Sequence, residues 1–403
     1  MPVAFSYEAV TERLRAELRA WGLEMVRPHE REVERTGRLP VNIDDILAAC
    51  PVHLGALAFT ELRSDSAGHD KEFIASFGDE GSNVLAAILA EEMAYAGVWA
   101  TNLLKTGGGP SHKTIKQMGT PEQIERWVGL GLKGCFALTE PHFGSDAAAV
   151  ATTAVRDGNE WVINGTKMFI SQGASADFAV VFATVDRSQG RNGIRAFVID
   201  KGTEGFVVAR ASEDKLGYRH TETSELQFTD VRIPLDNCLG GPDQAPGKGG
   251  FFGALNTLAT SRPIFAANSV GIGRAALDTA RRWVKENRVH LTERRRDRVE
   301  AEFGRLANHL DEASRAIMRA TWMRDTGRDN RTASSIAKAL APPAAEAACR
   351  RALELLGASG TSEASLVEKW YRDIKVYDIL EGSGQIQRVT VSRSLLGSAA
   401  SRG

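Results

Sequence analysis

The chain has 403 residues, of which 43% are hydrophobic and 25% charged, with a formal net charge of −1. That composition builds a globular protein with apolar material for roughly two or three cores. The balanced charge excludes a global field for nucleic acid or an anionic membrane surface.

Residues 1–134 read as a helical domain. The runs 10–23 and 84–104 are rich in Ala, Leu and Glu. The first residues, MPVAFSYEAVTERLRAELRAW, carry charge too early for a secretory signal peptide. Thr120-Pro121-Glu122-Gln123 predicts a helix start, with Thr as N-cap, Pro at the first helical position and Gln three residues after the cap. Tyr95, Trp99 and Leu103, four apart, suit either the wall of a pocket or plain core.

Residues 135–240 change to a period of two. WVING, FAVVFATVD, RAFVID, GFVVAR and SELQFTDVRIP are short β-rich runs. Asp157-Gly158 and Asn164-Gly165 predict hairpin turns, the second between 161–163 and 166–170. The expectation is an antiparallel barrel or sandwich. A Gly- and Pro-rich loop follows from Gly240 to Gly250, and residues 241–403 return to helix. Long helical runs at 251–288, 298–326, 332–356 and 365–380 predict a four-helix bundle. Strands and helices do not alternate, which excludes a doubly wound nucleotide fold. Gly271-Ile272-Gly273 lies inside a helical run, so it is no dinucleotide fingerprint.

Cys50, Cys135, Cys238 and Cys349 are far apart and form no CxxC, as in a reducing compartment, and the expected location is cytoplasmic. His53, His112, His142, His220 and His290 have no ligand spacing with Cys or acids, so no metal is expected. No apolar run reaches the ~18 residues of a membrane span.

Chemistry enters near the C-terminus, in YRDIKVYDILEGSGQIQR (371–388). Val367, Trp370, Ile374, Tyr377 and Glu381 share one helical face, apolar apart from Glu381. A carboxylate ending such a stripe would point inward, where desolvation makes the ion a stronger base. A solvated carboxylate, or one paired with Arg372 or Arg388, is the alternative that this pattern alone leaves open.

Three segments resemble the acyl-CoA dehydrogenase family. FALTEPHFGSD (136–146) is similar to its LTEPxxGSD, NGTKMFISQG (164–173) to its NGxKxWITNG, and the 371–388 segment to its YRDAKxxxIYEGTxxIQR. They stand in family order and spacing, TSRPIFAANSVGIG (260–273) resembles the opening helix of the family's bundle, and the resemblance covers roughly residues 85–396.

The resemblance implies an α+β multidomain fold: helical domain, middle β domain, C-terminal four-helix bundle. It implies FAD held between the β domain and the bundle, and α,β-desaturation of an acyl-CoA thioester. Glu381 would remove the α-proton and a hydride would pass from the β-carbon to flavin N5, with an electron-transfer flavoprotein taking the electrons. Carried over by position, Phe136, Leu138, Thr139, Gly144, Ser145, Phe169, Ser171, Arg288, Ser383 and Gln385 would bind cofactor, and Ser145, Arg262 and Gly382 substrate. Some members carry the base just before the arginine matched by Arg262; here that position is Ser261, so Glu381 has no rival. A homodimer or homotetramer is implied, or alternatively a hetero-oligomer with a paralogue.

The chain also departs from the family. ENRVHLTERRRDRVEAEF (286–303) lacks the RxxFG pattern and its following glutamine, and adds the cluster Arg294, Arg295, Arg296 and Arg298. Such a cluster suits a solvated surface, or a phosphate or acidic carrier protein. Glu354 and Ala358 stand where the family tends to have Gln and Gly, and residues 54–70 lack its GxPxxxGG loop. Three alternatives follow: a dehydrogenase of carrier-bound acyl chains, a non-catalytic subunit with a degraded FAD site, and a reduced-flavin monooxygenase, against which Glu381 counts.

Overall fold

The computed structural model describes residues 6–51, 82–104, 109–243 and 249–397. His53 and the departure at 54–70 lie outside the described residues. The chain forms two compact units, each discontinuous in sequence: Met1–Thr106 with Lys215–His220 and Ala259–Gly403, and Gly107–Asp214 with Thr221–Leu258.

The first unit begins with helices α1 (Ser6–Trp21), α2 (Glu30–Thr36), α3 (Ile43–Ala48) and α4 (Asn83–Ala96). α4 is apolar nearly all round, so it is buried. Its acidic residues Glu91 and Glu92 are received there by Arg15, Arg19 and Arg274. α4 ends at Gly97, which is extended, and a 3-10 segment, Val98–Leu104, follows. Tyr95 and Trp99 therefore do not share one helix, and both are core: Tyr95 donates to Asp278 (3.1 Å) and Trp99 is fully buried.

The second unit opens with α5 (Gly109–Met118) and α6 (Pro121–Ile124). The predicted cap forms as a complete capping box, Gln123 N donating to Thr120 Oγ1 (3.3 Å) and Thr120 N to Gln123 Oε1 (2.9 Å). Seven strands follow: β1 (Gly134–Ala137), β2 (Thr153–Asp157), β3 (Glu160–Ser171), β4 (Phe178–Thr184), β5 (Ile194–Asp200), β6 (Phe206–Arg210) and β7 (Thr223–Pro234). They form one sheet in the order β1-β4-β2-β3-β7-β6, with β5 on β4. Four ladders are antiparallel, but β1 and β2 both meet β4 parallel. β4 is buried on both faces. Ala179, Val181 and Ala183 meet Trp161, Ile163 and Phe197, while Phe178, Val180 and Phe182 pack under Ile115, Trp127 and Ala254.

The predicted turn at Asp157-Gly158 is present between β2 and β3. The predicted hairpin at Asn164-Gly165 is not: β3 runs straight through it. The dipeptide instead makes a register shift against β7, with Gly165 at φ 154 and a Cβ there only 2.4 Å from Thr152 Oγ1. Asn164 serves the same irregularity, donating to Asp230 Oδ1 and accepting from Asp230 N. A bulge and a hairpin share the same residue preferences, and here the long β3·β7 ladder decides between them.

The bundle comprises α7 (Gly250–Glu286), α8 (Glu293–Asp325), α9 (Arg331–Leu356), α10 (Ala358–Thr361), α11 (Val367–Tyr377) and α12 (Gly384–Leu396). The start of α7, to Leu258, belongs to the β unit. Alanines dominate the bundle core on α7 and α9, and Gly273 admits close approach: a Cβ there would lie 2.9 Å from Ala345 Cα. α11 buries Val367, Trp370, Ile374 and Tyr377, the stripe read from the sequence. On its other side Lys369 is fully buried between Glu30 (2.7 Å) and Asp373. Among the described residues no helix is long and apolar enough to cross a membrane.

Candidate active site

Glu381 does not stand on the helical face that its spacing suggests. α11 stops at Tyr377, and Asp378 caps it. The chain then turns back: Gly384 N donates to the Asp378 carbonyl at 2.9 Å. Inside that turn Glu381 and Gly382 both take left-handed backbone, with φ 61 and 90. Left-handed backbone is costly for a residue with a Cβ, roughly 1–2 kcal/mol, and persists where surrounding contacts over-determine it. Ser383 then starts α12 as its N-cap, its hydroxyl accepting from Ile386 N.

The contacts that hold the turn are specific. Arg262 Nε donates to the Glu381 carbonyl at 2.9 Å. Gln387 Nε2 donates to the Gly382 carbonyl (3.1 Å) and to that of Glu381 (3.3 Å). Ser261 Oγ donates to the carboxylate itself, at Oε2, at 2.6 Å. Arg262 is buried; burial lowers its guanidinium from the ordinary range, and the Glu381 charge opposes that shift.

Local chemistry fixes Ser261 and Arg262 on α7. Pro263 lies inside this helix and has no N–H to give to the carbonyl four residues back, at Ala259. That carbonyl is instead served by Ser334 Oγ (2.8 Å) and Asn330 Nδ2 (3.3 Å). The proline is thus accommodated without an orphaned acceptor.

The β unit collects most of the other positions. Phe136 packs its ring on Phe182 at 4.9 Å, and Leu138 is buried. Thr139 is half-buried, and its carbonyl accepts from Met168 N at 2.9 Å, which sets the end of β1 beside the second half of β3. Phe169 is 57% exposed and sits at φ 60, beside a register shift in β3. Ser171, Gly144 and Ser145 are exposed.

A buried ion pair fastens the loop after β1. Lys167 Nζ reaches Glu140 Oε1 (2.7 Å) and the Leu138 carbonyl (3.1 Å). Glu140 also accepts from Ala151 N, Thr152 N and Thr152 Oγ1. Burial alone would raise the Glu140 carboxyl, but the Lys167 ammonium and the Thr152 donors hold it below its ordinary value. Burial lowers Lys167 to about 8 against the pull of Glu140.

Some positions stand apart from these groups. Arg288 lies exposed on the short turn between α7 and α8, around a concavity shared with Arg281, Lys285, Arg296 and Asp297. Arg294, Arg295, Arg296 and Arg298 form the first turns of α8. Glu354 is neutralised by Arg350 (3.0 Å) and Arg351 (3.1 Å). Gln385 is exposed, whereas its neighbour Gln387 is fully buried. The contacts of Ser261 and Gln387 with the Glu381 turn, and the Glu140–Lys167 pair, were not read from the sequence. Lys167 had a signal: it interrupts an otherwise apolar inward row of β3.

Residues 135–231 match the acyl-CoA dehydrogenase middle domain, and residues 248–396 the acyl-CoA dehydrogenase C-terminal domain. The mitochondrial short-chain specific acyl-CoA dehydrogenase of Bos taurus is 37% identical over 325 residues, 78% of this chain and 77% of its own length. The caffeyl-CoA reductase-Etf complex subunit CarC of Acetobacterium woodii is 33% identical over 79% of this chain and 84% of its own. The solved butyryl-CoA dehydrogenase of Megasphaera elsdenii superposes with a TM-score of 0.79 at 28% identity, covering 96% of this chain and 98% of that one. The chain belongs to the acyl-CoA dehydrogenase family of FAD-dependent oxidoreductases.

Proposed function

We propose that this protein dehydrogenates a free acyl-CoA thioester between its α and β carbons, with Glu381 as the base that takes the α-proton. The observation that carries this reading is the constraint on Glu381. Its left-handed backbone is tied at the carbonyl by Arg262 and Gln387, and its carboxylate is aimed by the Ser261 hydroxyl at 2.6 Å. A proton beside a thioester is weakly acidic, so its base has to be held close and aimed.

The residues of the β unit fit a flavin. An exposed aromatic ring at Phe169, with the Ser171 hydroxyl two residues on in β3 and Thr139 just past the end of β1, where its carbonyl accepts from Met168 N, suits a planar heteroaromatic ring with polar edges. Phe136, Leu138, Gly144 and Ser145 would complete its binding within this unit, and the family resemblance extends a cofactor role to Ser383, to Gln385 and, for the FAD of a neighbouring subunit, to Arg288. Ser145, Arg262 and Gly382 would serve the thioester end of the substrate. FAD, when bound, is the acceptor of the hydride that leaves the β-carbon. The naming of the Acetobacterium relative as a subunit of an Etf complex supports an electron-transfer flavoprotein as the next acceptor. The bovine relative is named as short-chain specific, which makes short-chain acyl-CoAs the first substrates to try.

The test is anaerobic mixing of the FAD-loaded protein with acyl-CoAs of graded length, following the visible flavin band. Bleaching by a free CoA thioester is expected. In Glu381→Gln, FAD and ligand binding should persist and bleaching should slow by at least about a hundredfold. Bleaching at the parent's rate would remove Glu381 from the role of base. A protein that takes up no FAD would point to a non-catalytic subunit.

A further inference from the structure

Lys338 is a cation that nothing in the proposed reaction uses. It lies in α9 with its side chain fully enclosed. An ammonium in such a place is costly unless opposite charge or carbonyl oxygens receive it. Its Nζ stands 3.5 Å from the Gly382 carbonyl. The charged groups that act on it come from two further elements: the Asp378 and Glu381 carboxylates from the turn after α11, and the Arg262 guanidinium from α7. Gln387, the α12 residue that bonds the same carbonyl, is neutral.

A methionine or leucine would fill this position without the cost of burying charge. What the ammonium adds is a positive field beneath the Glu381–Gly382 turn. Asp378 faces that field with its Oδ1 buried and without a hydrogen-bond partner. Burial lowers Lys338 to about 8, and Asp378 and Glu381 oppose the shift, so both carboxylates favour the charged lysine. The ammonium sits against the carbonyl of the residue that follows Glu381, and a positive charge beside a carboxylate favours its ionised form.

We propose that Lys338 is a positioning residue for the reaction, supporting the Glu381–Gly382 turn through the Gly382 carbonyl and favouring the ionised, proton-accepting form of Glu381. This rests on the reading of Glu381 as base. Arg262 holds the same turn from α7, so Lys338 supplies the second of two cations there, on the side of Asp378.

Three variants separate charge from packing: Lys338→Met removes the charge at similar length, Lys338→Gln keeps a donor without charge, and Lys338→Arg keeps the charge. In each FAD-loaded variant the rate of anaerobic bleaching is followed against pH. The acid limb, below which the base is protonated, moves to higher pH in the Met and Gln variants and stays with the parent in the Arg variant. A second readout needs no turnover. The infrared carboxylate band assigned to Glu381, by subtraction of the Glu381→Gln spectrum, should titrate at higher pH in the Met and Gln variants. If Lys338→Met does not fold, the Gln and Arg pair makes the same comparison.

An acid limb and a carboxylate band that stay put in the uncharged variants overturn the proposal, even where stability or FAD content falls, since that is what a merely structural lysine would do. Bleaching of Glu381→Gln at the parent's rate removes the base reading itself, and with it this role for Lys338. Loss of bleaching in Glu381→Gln together with an unmoved limb in Lys338→Met removes Lys338 alone.

Discussion

The Ser261 hydroxyl donates to Glu381 Oε2 across 2.6 Å. A hydrogen bond to a charged acceptor is among the stronger ones in a protein, about 1.5–3 kcal/mol. Here it selects one rotamer of a carboxylate whose backbone is already fixed by Arg262 and Gln387. Ser261→Ala should therefore slow flavin bleaching by roughly tenfold, about 1.4 kcal/mol of barrier, with little change in ligand affinity. Rapid-mixing traces at saturating acyl-CoA measure this. A faster variant would mean that Ser261 restrains the base and does not aim it.

Gly382 tests the backbone of the same turn. Its φ is 90, and a Cβ there would lie 2.5 Å from Gln387 Nε2. Gly382→Ala adds left-handed strain and displaces the amide that ties two carbonyls. A loss of stability of about 1–3 kcal/mol is expected, with a larger effect on bleaching than on FAD content. Urea unfolding beside bleaching rates checks both; a variant with parental stability and rate would show that the turn does not need glycine.

The sequence carried the fold further than it carried the local shape of the site. Motif order gave the family, and the apolar stripe of α11 was legible because a helix writes its buried face every three or four residues. The same stripe misplaced Glu381, since a residue one step beyond the helix keeps the spacing while the backbone has left it. Asn164-Gly165 misled for a similar reason, because a bulge and a hairpin ask for the same residues. Ser261, Gln387 and Lys338 act through contacts among α7, α9 and α12 that no local pattern encodes. Glu354 is the reverse case: its arginines are three and four residues before it, within reach on one helix.

Phe169 offers a test of the flavin site that does not depend on turnover. Its ring is 57% exposed on left-handed backbone, so removal costs the folded chain little packing. Covering such a ring with a cofactor contributes about 1.5–3 kcal/mol. Phe169→Ala should therefore weaken FAD binding by about tenfold to a hundredfold while leaving the thermal midpoint of the FAD-free protein near the parent's. Fluorescence titration of FAD into the stripped protein measures it, and unchanged affinity would move the aromatic wall elsewhere.

Glu140 links acid stability to the loop after β1. Its carboxyl lies below its ordinary value because Lys167 and Thr152 stabilise the ion more than burial disfavours it. The folded value being depressed, the stabilisation from this group is full above the titration of the unfolded carboxyl and is lost as the pH falls through the folded one. Glu140→Gln keeps the shape but leaves the buried Lys167 ammonium without its counter-charge. Near neutral pH the variant should lose about 3 kcal/mol or more, as when one partner of a buried pair is removed. Toward acid, where the parent's Glu140 takes up a proton as well, the two proteins should converge. Urea midpoints of both from about pH 7 down to about pH 3 would show it. Because the pair ties the Leu138 carbonyl and the loop behind it to β3, the variant should also load less FAD at neutral pH. A stability gap that stayed constant with pH would mean that the hydrogen bonds of Glu140, and not its charge, hold the loop.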